Sequence, residues 1–219
     1  MVTFEDVVNN VEIKELIINA QKQMDVIGYT EHSIRHVSLV AERAAQILRT
    51  LGYDEKRIEL AKIAGYMHDI GNCVNRVDHA HTGAILAYNI LKEMGMNLQD
   101  RTEIIMAIGN HDELTGTPVS DISAALILAD KSDAHRSRVS KQDKSLFDKH
   151  DEVNFAVTSS ELKIDTEEKK AILNLKIDTK ICPVIDYFEI FMDRTNMSKR
   201  AAKYLGLWFE LIINDTNLL

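Results

Sequence analysis

The feature that most constrains the fold is a series of apolar stripes at helical spacing, each closed by a glycine. Residues 12–27 place apolar side chains three and four positions apart before Gly28, and residues 31–51 repeat the pattern before Gly52. Thr30 is in position to cap the second stripe. Only two prolines and nine glycines occur in 219 residues, so few positions interrupt these runs. The pattern predicts a helical bundle with short connections, whose facing side chains can build an internal site.

Four more helices are predicted before residue 140, because apolar residues again recur at three and four positions. They are expected to run from Asp54 to a stop at Gly71, over 79–94 between Asp78 and Gly95, over about 99–110, and from Asp121 to near Val139.

The pattern changes after residue 150. Residues 153–165 and 171–178 alternate and are rich in branched side chains, which predicts a β-hairpin whose turn covers residues 165–170. A helix is expected to begin at Pro183, followed by a last amphipathic helix over about 197–213.

The predicted fold is therefore mainly α. A helical domain is expected over residues 1–149. A C-terminal extension over residues 150–219, with the hairpin and two further helices, is expected to pack on it as an α+β appendage.

The charge of the chain limits its partners. With 26 basic and 34 acidic residues the net charge is −8. An acidic surface is a poor match for bulk nucleic acid or an anionic membrane. A small phosphorylated substrate stays compatible, since a bound metal can reverse the local field.

Cysteine usage and the apolar runs predict a cytoplasmic protein. Cys73 and Cys182 are too few for a disulfide framework and are interpreted as reduced thiols. The N-terminus lacks the basic-then-apolar pattern of a signal peptide. The longest apolar run, Ala124 to Ala129, is too short to cross a bilayer. No membrane partner is expected, and a homodimer stays open.

His68 and Asp69 stand side by side at the end of an apolar stretch. Imidazole and carboxylate are both good ligands for divalent metals. Neighbours on a helix point about 100° apart, so one ion takes both only near a helix end, where Gly71 places them. Alone, the pair is explained better by a packed histidine beside a turn-forming aspartate, although a buried carboxylate without a partner would be costly. The choice depends on whether other ligands converge.

Further histidines lie on separate predicted helices. His36 is bordered by apolar residues, with His32 one turn earlier on the same face. His79 shares the apolar face of its helix, whereas His81 shares a mixed face, so His79 is preferred as a ligand. His111 ends an apolar helix.

Aspartates complete the set. Asp130 ends an apolar run and is preferred over Asp133, whose flanks are more polar, while Lys131 is expected to point elsewhere. Chance would rarely place so many ligand types on apolar faces together, which predicts a shared site for one or two divalent ions (Fe, Mn, Zn, Mg, Co or Ni). The predicted metal ligands are His36, His68, Asp69, His79, His111 and Asp130.

The ordered series His, His-Asp, His, His, Asp resembles the HD-domain superfamily of metal-dependent phosphohydrolases. The matching stretches are HSIRHVSLVAERAAQIL, AGYMHDIGN, HAHTGAILA, IGNHDELTG and LILADKSDAHR, over about residues 30–138. The resemblance implies an all-helical domain with one metal on His36, His68, Asp69 and Asp130. Asp69 would bridge to a second metal on His79 and His111.

Among the branches of this superfamily, the pattern is closest to two-metal enzymes such as hydrolases of symmetrical dinucleoside tetraphosphates. Arg136 stands where that branch has a phosphate-facing arginine. Two departures are visible: Asn72 replaces a lysine that many relatives carry after HDIG, and Asn110 precedes His111 where cyclic-dinucleotide phosphodiesterases have a second histidine.

The resemblance implies hydrolysis of a phosphate ester or anhydride of a small, nucleotide-like substrate by a metal-bound hydroxide. Asp69 would hold the metals. Lys131, Arg136 and Arg138 would neutralise phosphate charge, although a solvated basic helix end explains these residues equally. His32 would contact substrate or give a proton to the leaving group.

Two other functions share the ligand set. Some members of the superfamily hold a di-iron centre and oxidise alkyl substrates with O₂. The third hypothesis is a nucleotide-binding module that keeps the metal but does not catalyse turnover. Asn72 and Asn110 are its support.

Overall fold

The computed structural model describes residues 2–141 and 143–219, and it confirms a mainly helical fold with a small C-terminal sheet. The α-helices are α1 Phe4–Asn9, α2 Val11–Ile27, α3 Ile34–Thr50, α4 Glu55–Met67, α5 His79–Glu93, α6 Leu98–Gly109, α7 Asp121–Lys131, α8 Lys149–Ala156 and α9 Val184–Tyr204. Single 3₁₀ turns cover Ile70–Cys73, Arg136–Arg138 and Lys144–Leu146. The strands are β1 Val157–Asp165, β2 Lys170–Ile177, β3 Trp208–Ile213 and β4 Thr216–Asn217.

The sheet has the strand order β1-β2-β3-β4. Strands β1 and β2 form the predicted antiparallel hairpin. Strand β3 pairs parallel with β2, so that α9 is the crossover connection between them, and β4 pairs antiparallel with β3. Within the described residues, no helix combines the length and apolar character needed to cross a membrane.

Helix ends differ from the sequence prediction in three places. Ser33, not Thr30, caps α3, because its hydroxyl accepts from the Arg35 amide at 3.1 Å. Helix α4 ends at Met67, and Gly71 lies inside the following 3₁₀ turn rather than at a helix stop. Helix α7 ends at Lys131, well before Val139, so that Asp133 and Arg138 lie beyond its end.

The C-terminal extension differs more. The first residues predicted as strand, 153–156, belong to α8, which begins at a capping box made by Asp148. The predicted helix over 197–213 is helical only to Tyr204, as the end of α9, and the prediction was wrong for the residues beyond it. Helix α9 ends at Tyr204, Gly206 turns the chain with a φ of 75°, and β3 follows. The division of domains at residue 150 stays a prediction.

Glycines let the helices that carry the site approach closely. A Cβ on Gly65 of α4 would lie 2.7 Å from Ala41 Cα of α3. A Cβ on Gly71 would lie 2.0 Å from the His79 carbonyl oxygen and 2.5 Å from the Gly83 nitrogen of α5. These contacts bring the chain around His68 against the helices that carry His36 and His79.

Substituting Gly65→Ala is expected to lower the free energy of unfolding by about 1–3 kcal/mol, because the added methyl group overlaps the α3 backbone. Gly109→Ala in α6 is the matched control, since its methyl group would meet Ala84 Cβ at an ordinary 3.7 Å. That control is expected to leave stability unchanged or slightly raised. Urea unfolding of both variants is the measurement, and equal midpoints would contradict the packing described here.

Candidate metal centre

The structure brings the six predicted ligands together in one buried cluster. They arrive from α3, from the segment joining α4 to the following 3₁₀ turn, from the start of α5, from the residues after α6 and from the end of α7. Each is no more than 4% exposed. They are His36, His68, Asp69, His79, His111 and Asp130.

One group of ligand atoms lies on one side of Asp69. Oδ2 of Asp69 is 3.0 Å from His68 Nε2 and 3.6 Å from His36 Nε2. Asp130 Oδ1 is 3.3 Å from His36 Nε2 and 3.7 Å from His68 Nε2. Atoms that share an ion with bonds of about 2.1 Å lie within about 4.2 Å of one another. His36, His68 and Asp130 therefore have the spacing of one coordination sphere, and Asp69 Oδ2 lies within the same range of both histidines.

A second group lies on the other side of the same carboxylate. Oδ1 of Asp69 is 3.6 Å from His79 Nε2 and 3.8 Å from His111 Nε2. The two imidazole nitrogens are 3.2 Å apart. Asp69 therefore offers one oxygen to each group, as a bridging carboxylate does.

All four histidines present Nε2 to the cluster and bind outward through Nδ1. The carbonyl oxygens of Gly65, Arg76 and Ile108 accept at 2.8, 3.1 and 2.6 Å from His68, His79 and His111. The Asp133 carboxylate accepts from His36 at 2.8 Å. An Nδ1–H that donates outward leaves a lone pair on Nε2, which is the tautomer that binds metals.

The cluster fits a divalent cation. Among the residues that the structure describes, none forms a hydrogen bond with the buried Nε2 of His68, although an Asp69 oxygen is 3.0 Å away. Lone pairs and carboxylate oxygens facing one another at such distances repel unless a cation lies between them. The groups His36-His68-Asp130 and His68-Asp69-His111 both have the spacing of metal ligands.

A chain of charges joins Asp130 to the C-terminal extension. Lys131 Nζ lies 2.6 Å from Asp130 and 2.9 Å from Glu113, whose Oε1 accepts from Arg194 Nε of α9 at 3.0 Å. Burial alone would raise the pKa of Asp130, but the Lys131 ammonium holds it well below its usual range. The expectation that Lys131 points away from the site was wrong, because its long side chain turns back to its neighbour.

A second charged group surrounds the outer face of His36. Asp133 is 2% exposed and is approached by Arg35 at 3.1 Å and by Arg138 at 3.3 Å. Burial opposes its charge, but the hydrogen bond from His36 and these two arginines lower the pKa of Asp133. Asp133 therefore orients a candidate ligand and is not one of the two groups itself.

Asn72 and Arg76 border the second group. Asn72 Nδ2 donates to Asp69 Oδ1 at 2.9 Å, so the residue that replaces the expected lysine fixes the bridging carboxylate. Arg76 Nη1 lies 3.2 Å from His79 Nε2 and donates to Asn72 Oδ1 at 3.3 Å.

Other predicted site residues lie around the cluster or outside it. His32 precedes α3 and is 6% exposed, and its ring centroid is 5.9 Å from that of His36. His81 lies at the surface beside Asp78, in agreement with the preference for His79. Arg136 stacks on Phe155 at 5.3 Å, whereas Arg138 reaches the cluster. A phosphate-facing role for Arg136 stays a prediction.

Three residues around the site were given no role from the sequence, although Asp133 was considered as an alternative ligand to Asp130. Asp133 lies three positions after Asp130, a spacing that puts both on one side of a helix and could have suggested a shared role. Glu113 follows His111 by two positions in a segment already singled out. Arg76 lies in a loop, and no sequence signal identifies it.

The fold and this cluster define a helical domain with a buried histidine and aspartate centre suited to divalent cations. The chain belongs to the HD domain family, whose model matches residues 31–153, more than half of the chain. All six clustered ligands fall within that match.

Two similar proteins extend the comparison. An uncharacterized protein from Methanocaldococcus jannaschii is 30% identical over 134 residues, which cover 51% of this chain and 51% of that protein. The chain therefore matches about half the length of this curated relative. The crystal structure of a predicted HD superfamily hydrolase from an uncultured Thermotogales bacterium is 31% identical, with a TM-score of 0.44, over 57% of this chain and 67% of that one.

Substituting Asp133→Ala is expected to weaken metal binding about 10–100-fold, because His36 loses the partner that fixes its tautomer. Asp133→Asn keeps an acceptor for Nδ1–H and is expected to lose less. Competition with a chromogenic chelator measures both, with His81→Ala as the surface control. Equal affinities for Asp133→Ala and His81→Ala would exclude this role for Asp133.

Metal affinity is expected to fall as the pH is lowered from about 8 to about 6. Burial alone would lower the pKa of His68, but Asp69 and Asp130 raise it above its usual value. The metal-free imidazole therefore keeps its proton to a higher pH, and the metal must displace it. Calorimetry in two buffers of different ionisation enthalpy measures the proton release. Buffer-independent heats would contradict the prediction.

Proposed function

We propose that the chain is a metal-dependent phosphohydrolase, acting on a phosphate ester or anhydride of a small, nucleotide-like substrate. The observation that carries the proposal is the bridging geometry of Asp69, with one oxygen toward each group of inward-facing Nε2 atoms. This arrangement favours the two-metal branches of the family, in which two ions clamp the attacking and leaving oxygens.

His36, His68, Asp69 and Asp130 would hold one divalent ion and His79 and His111 a second, and such an ion would supply Lewis acidity that lowers the pKa of water from about 15.7 toward about 7. The protein supplies positioning. Asn72 and Asp133 fix the ligands, and Lys131 stays charged because Asp130 and Glu113 outweigh the burial that would lower its pKa.

Cationic side chains suit the phosphate group. Arg76 lies 3.2 Å from His79 Nε2, and Lys131 lies 2.6 Å from Asp130. Both can therefore stabilise negative charge that develops on the oxygens of the transferred phosphoryl group. Arg138 is held by Asp133 beside His36. These three residues support the proposal better than Arg136, which stacks on Phe155.

His32 is proposed to contact the substrate or the attacking water. Burial lowers the pKa of His32 well below its usual value, so the ring is neutral near neutral pH. Its Nδ1 faces the Thr30 carbonyl oxygen at 2.6 Å and donates there, which leaves Nε2 as an acceptor. Accepting a proton or a hydrogen bond therefore suits this residue better than giving a proton to the leaving group.

Elemental analysis of anaerobically purified protein, followed by a screen of phosphate esters and nucleotides, tests the proposal. We expect bound transition metal and release of phosphate or nucleotide without O₂. Asp69→Ala and His111→Ala are expected to lower kcat/KM by more than about 10²-fold, beyond the loss typical of outer partners, while His81→Ala retains activity.

The same screen separates the rival functions. Consumption of O₂ with oxidation of an alkyl substrate by a coloured iron centre would establish the oxygenase instead. Tight nucleotide binding without any product under several metals would establish the binding module. Metal content and activity that survive in both Asp69→Ala and His111→Ala would exclude this centre altogether.

A further inference from the structure

Resting on the proposed phosphohydrolase, we infer that its substrate class is a short single-stranded oligonucleotide with a terminal phosphate. The terminal phosphate lies at the metal centre, and the distal nucleotides bind where α9 meets β3. The basic patch that binds them consists of Lys199, Arg200, Lys203 and Trp208. This patch belongs to the C-terminal extension, outside the residues that match the HD domain model.

The basic patch is open to solvent around a cavity. The cavity measures about 430 Å³, and Leu207 and Phe209 complete its wall together with the patch. Trp208 is 77% exposed, and the three cationic side chains of the patch are exposed as well. Every group of the patch is therefore within reach of a ligand from solvent.

The cations of the patch lack acidic partners, although the chain carries a net charge of −8. In the described ranges 2–141 and 143–219, no carboxylate lies within salt-bridge distance of them, whereas Arg194 on the same helix pairs with Glu113. Lys199 and Lys203 are one turn apart on α9, where like charges repel. The helix dipole favours Lys203 in the last turn, but it explains neither Lys199 nor the exposed indole beside them. A bound anion would offset the repulsion.

The exposed indole of Trp208 restricts the kind of anion. An aromatic ring beside lysine and arginine side chains is how proteins bind single strands, because bases stack on the ring and phosphates pair with the cations. Inorganic phosphate would use the cations alone, and a peptide of acidic residues has no planar ring to stack. The combination therefore favours nucleotides.

A groove along α9 joins the patch to the metal centre. Glu113 and Asp193 line both the cavity beside Arg76 and a more open section of about 460 Å³. Lys199 and Arg200 line that section and also the cavity of the patch. Because neighbouring sections share their walls, one extended ligand can occupy all three.

The length of the groove fits a few nucleotides. From Arg194, beside the metal centre, to Lys203, at the patch, α9 rises by about 14 Å. At about 3.4 Å per stacked nucleotide, this corresponds to about four nucleotides. A mononucleotide at the metal centre would not reach the patch. Such a short strand differs from bulk nucleic acid, for which the acidic surface as a whole is a poor match.

One carboxylate in the groove opposes the strand. Asp193 is exposed and lines the section between the two cavities, whereas its neighbour Glu113 is offset by Lys131 and Arg194. Asp193→Asn is therefore expected to tighten oligonucleotide binding about two- to fivefold, because a repulsive surface charge is removed. An unchanged affinity would contradict the path along α9.

Fluorescence tests the patch directly, because Trp208 is the one tryptophan of the chain. The probe is a thymidine tetranucleotide without a terminal phosphate, which offers no phosphate monoester to the metal centre of the purified protein. We expect it to quench the tryptophan emission, with an affinity that falls as the salt concentration is raised. Absence of quenching would overturn the inference. Binding of a glutamate-rich peptide in place of the tetranucleotide would identify a protein docking surface and would overturn it equally.

Lys203→Gln measures the contribution of charge. It is expected to weaken tetranucleotide binding about threefold and to lower the slope of log affinity against log salt by about 0.7, because one phosphate contact is lost. Lys92→Gln is the matched control, since Lys92 is also exposed, lies in the last turn of α5 and lines none of the three cavities. It is expected to keep the parent's affinity and slope. Equal slopes for the two variants would overturn the role of the patch.

Activity tests the connection between the patch and the metal centre. The parent is expected to release phosphate from a thymidine tetranucleotide phosphorylated at its 5′ or 3′ end with a kcat/KM about tenfold above that for thymidine monophosphate. Trp208→Leu is expected to bring this ratio near one, because the distal nucleotides lose their stacking partner. Equal kcat/KM for the long and short substrates in the parent would overturn the substrate class.

The two kinds of measurement separate this inference from the proposed function. If no phosphate ester is hydrolysed but the tetranucleotide quenches Trp208 and Lys203→Gln changes the salt slope, the proposed reaction fails and the binding patch stands. If hydrolysis occurs and the tetranucleotide neither quenches nor exceeds the mononucleotide as a substrate, the patch assignment fails alone.

Discussion

The repulsion among inward-facing lone pairs is the constraint on which the structure depends. Four imidazole nitrogens and two carboxylates face one another at 3.0–3.8 Å, all inside the protein. Such an arrangement is stable only with positive charge at its centre. The close helix contacts at Gly65 and Gly71 hold these groups in place. The packing of the bundle therefore also determines its affinity for cations.

The charges outside the cluster form two separate supports. Asp133 and its arginines hold His36 from one side, while Lys131, Glu113 and Arg194 connect Asp130 to the C-terminal extension. The second support crosses from the ligand-bearing helices to α9. The candidate ligand Asp130 and helix α9 are therefore electrostatically linked, and a substitution in the extension can act on the centre without touching a ligand.

Much of the helical part could be predicted from the sequence, because the longer helices carry apolar residues at helical spacing and some of them, such as α2, end at a glycine. The preference for His79 over His81 also followed from the apolar face that His79 shares. The position of the Lys131 ammonium could not be predicted, because the direction in which a side chain leaves a helix does not determine where the end of a long side chain lies. The Lys131 side chain turns back to the Asp130 carboxylate. The apolar residues of 208–213 fit both the helical and the strand spacing. The segment forms a strand only because β2, which is distant in sequence, provides an edge for pairing.

The parallel pairing of β2 with β3 has a consequence for the order in which the protein forms during synthesis. The six candidate ligands all lie between His36 and Asp130, so the helices that carry them can assemble while the ribosome is still translating the extension. Helix α9 packs on α7 and pairs with Glu113 through Arg194, but the sheet is completed only when β3, which follows α9 in the chain, reaches β2. A nascent chain can therefore assemble its candidate ligand cluster before the sheet of the extension is complete, so cation loading can precede the last folding step.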